Sequence, residues 1–542
     1  MKIKVLLAFI LMLAFAFQLS SQEAIPAERN KKIVILGSSM AAGWVTSYQE
    51  KYDMQNGYAY RLARQLEPQG WDVVNISIPG FDTKSTIERF YDDVLPLNPG
   101  YVLIGLSMSN EGLETKDPDS VFNSYRSGML ELISLCRNNN IEPVVGLCYS
   151  NDNYTEEQYQ YLKKMNRLIN SWDVACVNLL GVLDDGQGHF PAGYTFDPNH
   201  PSDRGHEEMF YAFVPDMFDA LQTGKGLPPS DILNTKMPAG DKGSTYNEIC
   251  YVPADVMHSF TVFFHFSSSG ATKIFSIQRN IGTNTISIDE KGGLHYSGNH
   301  KELTRELNIK DQEYHSLAFT HQYLVRETKI YLDGKMIFSV EEQLEPVLFR
   351  LGTHGMRTQL GQLLIYRGAL NQEEIDMLLN GDFYHASLEV ASLLSTSDLE
   401  TDGDILANYA LSLGNARVDP EHTGEETGIL ISKIESAQFA RDHELKVEHR
   451  QAIEMDPSLF DQYTGVYEIE PDDNLLVVKE DGKIFLDDHG RKAEILPEGN
   501  DQFFIKYPGD ILVIFQKDGD GLVTGLIFSI NGREMPASKI SE

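Results

Sequence analysis

The sequence predicts a multidomain chain: an α/β unit on a parallel sheet, then a two-sheet β-sandwich, then a smaller antiparallel β unit. Three observations carry this. The 542 residues exceed what one core usually organises. Between Lys31 and Gly224, buried-strand runs alternate with helical periods, the pattern of βαβ repetition. Past Gly224–Ser230, whose Pro228-Pro229 reads as a linker, the texture changes to short alternating strands separated by turns.

Lys2 and Lys4 precede an apolar run, Val5–Phe17, and Gln18–Ala24 is small and polar. A basic start, a short apolar centre and a polar end read as a secretory signal over residues 1–22. The chain is therefore expected to be exported, either periplasmic or secreted. The apolar run is short for a membrane span, no later stretch reads as one, and no cysteine near the cut suggests a lipid anchor.

In the α/β unit, residues 31–224, Ile33–Leu36 is a buried strand and Gly57–Leu66 a helix with Tyr58, Leu62 and Leu66 on one face. Further strands are expected at Val73, Tyr101–Leu106, Pro143–Cys148 and Ala175–Leu180. Helices are expected at Lys84–Val94, Ser120–Cys136, Glu156–Trp172 and Gly205–Leu221. In such sheets functional groups collect at the carboxyl ends of the strands.

Three of these strands end on chemistry. Gly37-Ser38-Ser39 follows the first, and a serine on that turn meets backbone N–H groups that favour an oxyanion. The strand from Val73 runs into Pro79-Gly80, with a glycine N–H expected to be free. Tyr101–Leu106 leads to Ser107-Met108-Ser109-Asn110-Glu111-Gly112. Far along the chain, Asp197-Pro198-Asn199-His200-Pro201 sets a carboxylate and an imidazole three residues apart. The carboxylate can hold one ring nitrogen and leave the other as a base. Nucleophile, oxyanion donors and base form one set. Tyr149, just past a strand end, is a candidate pocket wall, and His189 on the Gly-rich loop Asp184–His189 a candidate substrate contact. His206, in the first turn of a helix, reads as structural.

This arrangement resembles the SGNH (GDSL-like) hydrolase family, esterases and lipases on a flavodoxin-like sheet, across residues 31–224. The family's first block matches at Gly37, Ser39 and Gly43, which makes Ser39 rather than Ser38 the implied nucleophile. Its second and third blocks match at Gly80 and Asn110, implied oxyanion donors beside the N–H of Ser39. Its last, Asp-x-x-His-Pro, matches at Asp197 and His200. Two positions depart: Ser38 stands where Asp is usual, and Ser-x-Ser-Asn-Glu replaces Gly-x-Asn-Asp. Neither departure removes a catalytic group.

Forty-five Lys and Arg against 79 Asp and Glu leave a net charge of −34. Such a surface repels nucleic acid and anionic headgroups and favours a neutral substrate. Four cysteines are too few for a disulfide scaffold; Cys148, ending an apolar run, reads as a buried thiol. No spacing suggests zinc, so neither a metal nor another cofactor is expected at the catalytic set.

Downstream, residues 234–385 carry the sandwich strands. His315–Thr320, the Tyr331–Gly334 hairpin and the ending Leu364–Ile375 resemble the laminin-G-like, concanavalin-type jelly roll, which implies glycan binding, sometimes through calcium. Residues 386–455 read as a linker with a charged helix, Ser436–Glu454. Asp398–Asp404 begins like a calcium loop, but Tyr409 stands where the closing Glu belongs, so a solvated acidic loop is expected. Residues 456–542 form the last β unit, with Leu475–Val478, Lys483–Leu486 and Ile511–Phe515 among its strands and Asp481-Gly482 and Asp518-Gly519 at its turns. It is similar to small lipocalin-like β domains found behind serine-hydrolase domains.

The expected function is that of an exported serine ester hydrolase acting on an acylated glycan. The alternatives are a short-chain lipid esterase and a glycan-binding protein with an inactive hydrolase domain. The linker further implies that a chain ending near Gly224 would hydrolyse small esters unaided.

Overall fold

The computed structural model describes residues 29–44, 56–229, 248–279, 282–298, 301–352, 358–394, 406–414, 416–418, 452–470, 473–488, 491–505, 511–530 and 533–541, together with 432, 434, 435 and 438. The expected signal, the loop Asp398–Asp404 and most of the expected helix Ser436–Glu454 lie outside these residues.

The first unit runs β1 (Lys32–Gly37), α1 (Ser39–Ala42), α2 (Tyr58–Leu66), β2 (Asp72–Asn75), α3 (Thr83–Glu88), β3 (Tyr101–Gly105), α4 (Met108–Glu111), α5 (Pro118–Asn138), β4 (Glu142–Gly146), α6 (Glu156–Asn170), β5 (Ala175–Val177), β6 (Thr195–Asp197), β7 (His200–Pro201), α7 (Asp203–Tyr211) and α8 (Met217–Gln222). Ile33, Val34, Ile35 and Leu36 are wholly buried, as a central parallel strand covered on both faces requires. α5 opens with Pro118 behind an Asp117 cap that accepts the Ser120 N–H, and α6 with a Thr155–Gln158 capping box. The expected single helix Gly205–Leu221 is in fact two, α7 and α8, because Pro215 has no N–H to carry it through. The five parallel strands stand in the order β2-β1-β3-β4-β5. Chain direction across the sheet reverses between β1 and β3, and a crevice for ligands opens at such a switch point.

Two antiparallel sheets, one of seven strands and one of six, occupy residues 249–418 and share a core that includes Phe264, Phe275, Phe319, Phe349 and Leu363. The central strands of the six-stranded sheet are buried on their other face as well. Phe263, Ala318, Tyr331, Leu364 and Tyr366 join one apolar cluster with Leu162, Ile169, Cys176 and Leu180 of the α/β unit. Polar bonds cross the same seam. Asn170 Nδ2 donates to Phe383 O (2.7 Å), and its Oδ1 accepts from the His385 and Ala386 N–H groups. Ser387 Oγ accepts from Asn178 N–H and donates to Ala212 O, both at 2.7 Å. His258 Nδ1 sits 2.9 Å from both carboxylate oxygens of Glu208, with both side chains fully buried.

Residues 224–229 are not a free tether. Lys225 Nζ donates to Asn408 O (2.9 Å) and Ser412 O (2.5 Å), and Leu227 packs on the core of the first unit. The expectation that the α/β unit stands apart is corrected here: it and the sandwich share apolar surface.

Eight strands from Gly465–Glu470 to Arg533–Ser541, paired in sequence order, close into a barrel around its own core of Tyr467, Phe503, Phe515 and Leu526. The expected turn at Asp481-Gly482 takes φ of 48° and 77°, the left-handed pair that suits the strand twist.

The shared seam also holds a buried acid. Glu374 closes the capping box of helix Gln372–Asn380, and burial pushes its carboxyl up from 4.5 to about 7. Glu374 thus binds its proton more tightly in the folded chain than in the unfolded one. Its favourable contribution is full below about pH 4.5 and is lost as pH rises to about 7. Glu374→Gln, which keeps the cap, should match the wild-type Tm near pH 4. At pH 8 it should be more stable by roughly 3 kcal/mol. Thermal melts at the two pH values check this; equal wild-type and variant Tm at pH 8 would contradict it.

Candidate active site

β1 ends on Gly37, where a Cβ would lie 2.5 Å from Gly105 O and 2.6 Å from Ala41 Cβ. Only glycine lets β1 run this close to β3 and turn at once into α1. Asn75 supports the turn from β2, its Nδ2 donating to Ala41 O at 2.6 Å. Ser39 is therefore presented at the carboxyl end of β1, beside the switch point, and is partly exposed.

The hairpin β6–β7 brings the other two groups to it. Asp197 and His200 pair across the hairpin, and Thr195 Oγ1 on β6 reaches across it to His200 O at 3.3 Å. His200 Nδ1 lies 2.9 Å from both Asp197 oxygens, and His200 Nε2 lies 2.9 Å from Ser39 Oγ. A carboxylate only accepts, so Nδ1 carries the proton and the Nε2 lone pair faces the serine hydroxyl. The His200 and Asp197 side chains are 13% and 7% exposed, which keeps water from competing for these bonds.

Gly80 has φ of 81°, a left-handed conformation that suits glycine, and Ile78 N–H bonds Gly37 O at 3.0 Å, so this segment lies along the end of β1. The sequence suggests a free N–H here. It instead donates to Ser38 Oγ at 3.2 Å. Ser38 is wholly buried and holds the Gly80 turn. Asn110 lies on α4 beyond β3. The Glu111 carboxylate anchors that helix by accepting the Thr83 N–H at 2.7 Å. The Asn110 amide makes no hydrogen bond with a described residue and is free to donate.

Tyr149 is placed differently from the expectation. It is 4% exposed and packs among Met40, Tyr58 and Val177, so it is a core residue rather than the wall of an open pocket. Burial drives its phenol well above the usual range. His189 lines an open cavity of about 400 Å³ with Asp152, Asp185, Phe190 and Thr195, which reaches β6 two residues before Asp197. His189 Nε2 lies 3.1 Å from Tyr154 O, and no hydrogen bond among the described residues joins it to Ser39. His206 is fully buried, stacked on Tyr58, and burial pushes it down to about 3, so it stays neutral at working pH. All four cysteines are free and buried; burial raises Cys136 to about 12. Among the described residues no group of three or more His, Cys, Asp or Glu is arranged to hold a metal ion.

A set of amides beside the site leaves no mark in the sequence. Asn151 Nδ2 lies within 3.0 Å of Ser109 Oγ, Glu114 Oε1 and Asn199 Oδ1. Nothing local marks Asn151, because its partners come from 42, 37 and 48 residues away.

Residues 35–208 match the sequence model of the GDSL-like Lipase/Acylhydrolase family. No curated protein matches the chain. Similar solved structures include a lipase/acylhydrolase from Enterococcus faecalis, 18% identical, covering 36% of this chain and 98% of its own (TM-score 0.29). A catalytic mutant of an acetylxylan esterase from Geobacillus stearothermophilus is 17% identical, covering 37% and 96% (TM-score 0.27). A GDSL-like lipase from Bacteroides thetaiotaomicron is 19% identical, covering 36% and 92% (TM-score 0.27). On the family match and the parallel sheet, the chain carries a GDSL-like lipase/acylhydrolase domain over residues 35–208, followed by β-rich units.

Proposed function

We propose that this chain is an exported serine ester hydrolase that removes acyl groups from glycans. The observation that supports the chemistry most is the continuous set of hydrogen bonds Asp197–His200–Ser39. Ser39 Oγ attacks the ester carbonyl carbon as its proton passes to His200 Nε2, while Asp197 stays ionised and steadies the imidazolium. The oxyanion takes the N–H groups of Ser39 and Gly80, the latter turning from Ser38 Oγ, and Asn110 Nδ2. His200 returns the proton to the leaving alkoxide. Water, deprotonated by His200, then attacks the acyl carbon and releases the acid and Ser39. This scheme calls on no cofactor.

Export rests on the N-terminal pattern, and the glycan on the sandwich's resemblance to glycan-binding jelly rolls and on a net charge of −34, which favours a neutral polymer. Calcium, if used, belongs to that sandwich and not to the ester chemistry. His189, on the cavity beside β6, is proposed to meet the alcohol part of the substrate.

Acetate release from an O-acetylated polysaccharide, measured beside 4-nitrophenyl acetate and 4-nitrophenyl palmitate, tests this reading. Activity on the polysaccharide and the acetate ester is expected. A preference for the palmitate would replace the glycan by a lipid ester, and no turnover of any of them would leave a binding protein. Asn110→Ala should lower kcat by roughly 10² to 10³ with KM nearly unchanged, since the donor acts on charge present only in the transition state. A rise in KM at constant kcat would make Asn110 a substrate contact instead.

A further inference from the structure

The chain beyond β4 brings one side chain to both halves of the proposed machinery. Asn151 is 2% exposed, and its Oδ1 accepts the Asn153 N–H at 2.9 Å. A backbone N–H can only donate, so the amide is oriented with Nδ2, whose two hydrogens are shared among three acceptors, toward the neighbouring segments. These are Ser109 Oγ (3.0 Å), Glu114 Oε1 (2.8 Å) and Asn199 Oδ1 (3.0 Å). Asn153 Nδ2 repeats the bridge, 3.2 Å from Glu114 Oε2 and 3.1 Å from Asn199 Oδ1. Ser109 Oγ in turn donates to Glu114 Oε1 at 3.0 Å.

The partners matter because of their neighbours in the chain. Ser109 precedes Asn110 on α4. Asn199 lies between Asp197 and His200, and its N–H donates to Asp197 Oδ1 at 2.8 Å. The Asp152 N–H adds a bond to Pro198 O at 2.8 Å. α4 and the β6–β7 hairpin are otherwise far apart in sequence.

We infer that Asn151 is a positioning residue: it ties the segment bearing Asn110 to the hairpin bearing His200 and so sets the distance between oxyanion donor and base. The inference rests on the serine-esterase reading. A reacting carbonyl must meet both groups at once, and a displacement of about 1 Å can cost on the order of 10²-fold in rate.

The test uses the full chain and 4-nitrophenyl acetate. Asn151→Asp keeps the shape but turns a donor into an acceptor facing the Glu114 carboxylate and the Asn199 carbonyl oxygen. It should lower kcat by roughly 10- to 100-fold, with KM within about twofold of wild type. Adding Glu114→Gln restores a donor–acceptor pair of reversed polarity and should bring kcat back to within about threefold of wild type. Asn199→Ala, at a partly exposed site, cuts only the hairpin side of the link and should lower kcat by about fivefold without a change in KM. The rate at which a fluorophosphonate labels Ser39 should fall in parallel. A wild-type chain that neither turns over ester nor takes the label would sink the esterase reading itself. With an active wild type, the positioning role is overturned if Asn151→Asp and Asn199→Ala keep kcat within about twofold, if their loss lies in KM alone, or if Glu114→Gln gives no rescue.

Discussion

Replacing Ser39 by alanine is expected to abolish ester turnover, with a loss in kcat on the order of 10⁶, the scale seen when the nucleophile of such a set is removed. The change deletes one hydroxyl from a partly exposed turn, so the Tm should stay within about 2 °C of wild type. His200→Ala should cost a similar factor, and the double variant little more, because the two act as one unit. Ser38→Ala is the informative control. Ser38 Oγ accepts the Gly80 N–H and makes no bond to His200, so its loss loosens one oxyanion donor and should cost about tenfold or less. Steady-state assays of the four variants against melting curves check this; a larger loss from Ser38→Ala than from Ser39→Ala would make Ser38 the nucleophile.

A chain ending at Gly224 should fail as a protein. The cut would expose Leu162, Ile169, Cys176 and Leu180, which share a core with Phe263, Tyr331 and Tyr366 of the sandwich. It would also leave Glu208 without His258. Whole domains are stable by only about 5–15 kcal/mol, and an apolar face of this kind also drives aggregation. The shortened chain should be insoluble or lose activity equally on a small ester and on a polymer. A chain ending at Arg450 removes only the barrel, whose core residues run from Phe460 to Ala537, and should keep small-ester activity within about twofold. Solubility and 4-nitrophenyl acetate turnover of the two chains decide the matter. A soluble, fully active 1–224 chain would show that the shared core is dispensable.

The parts of the site that the sequence displays are those held by short-range geometry. Ser39 follows a strand of four buried residues, and Asp197 and His200 need only a tight hairpin to meet. The five parallel strands likewise follow from periodicity and order. What stays hidden depends on distant segments. The Gly80 N–H looks free until Ser38, 42 residues earlier, is seen to accept it. Asn151 has the same character. Tyr149 stands at a strand end in sequence, but Met40, Tyr58 and Val177, from distant segments, enclose it.

The shared core leaves a trace in the sequence. Phe260-Thr261-Val262-Phe263-Phe264-His265-Phe266 does not alternate as a strand with one wet face should, and all but His265 are buried. Val262 and Phe264 face the sandwich core while Phe263 faces the α/β unit. A run apolar on both faces is the mark of a sheet covered on both sides.

Covalent trapping decides whether Ser39 is the nucleophile. The full chain is treated with a fluorophosphonate, digested, and the modified side chain located by tandem mass spectrometry. A single stoichiometric adduct on Ser39, absent after His200→Ala and formed in step with loss of esterase activity, is the predicted result. An adduct on Ser38 or on any other side chain, or ester turnover that survives complete modification of Ser39, would contradict it.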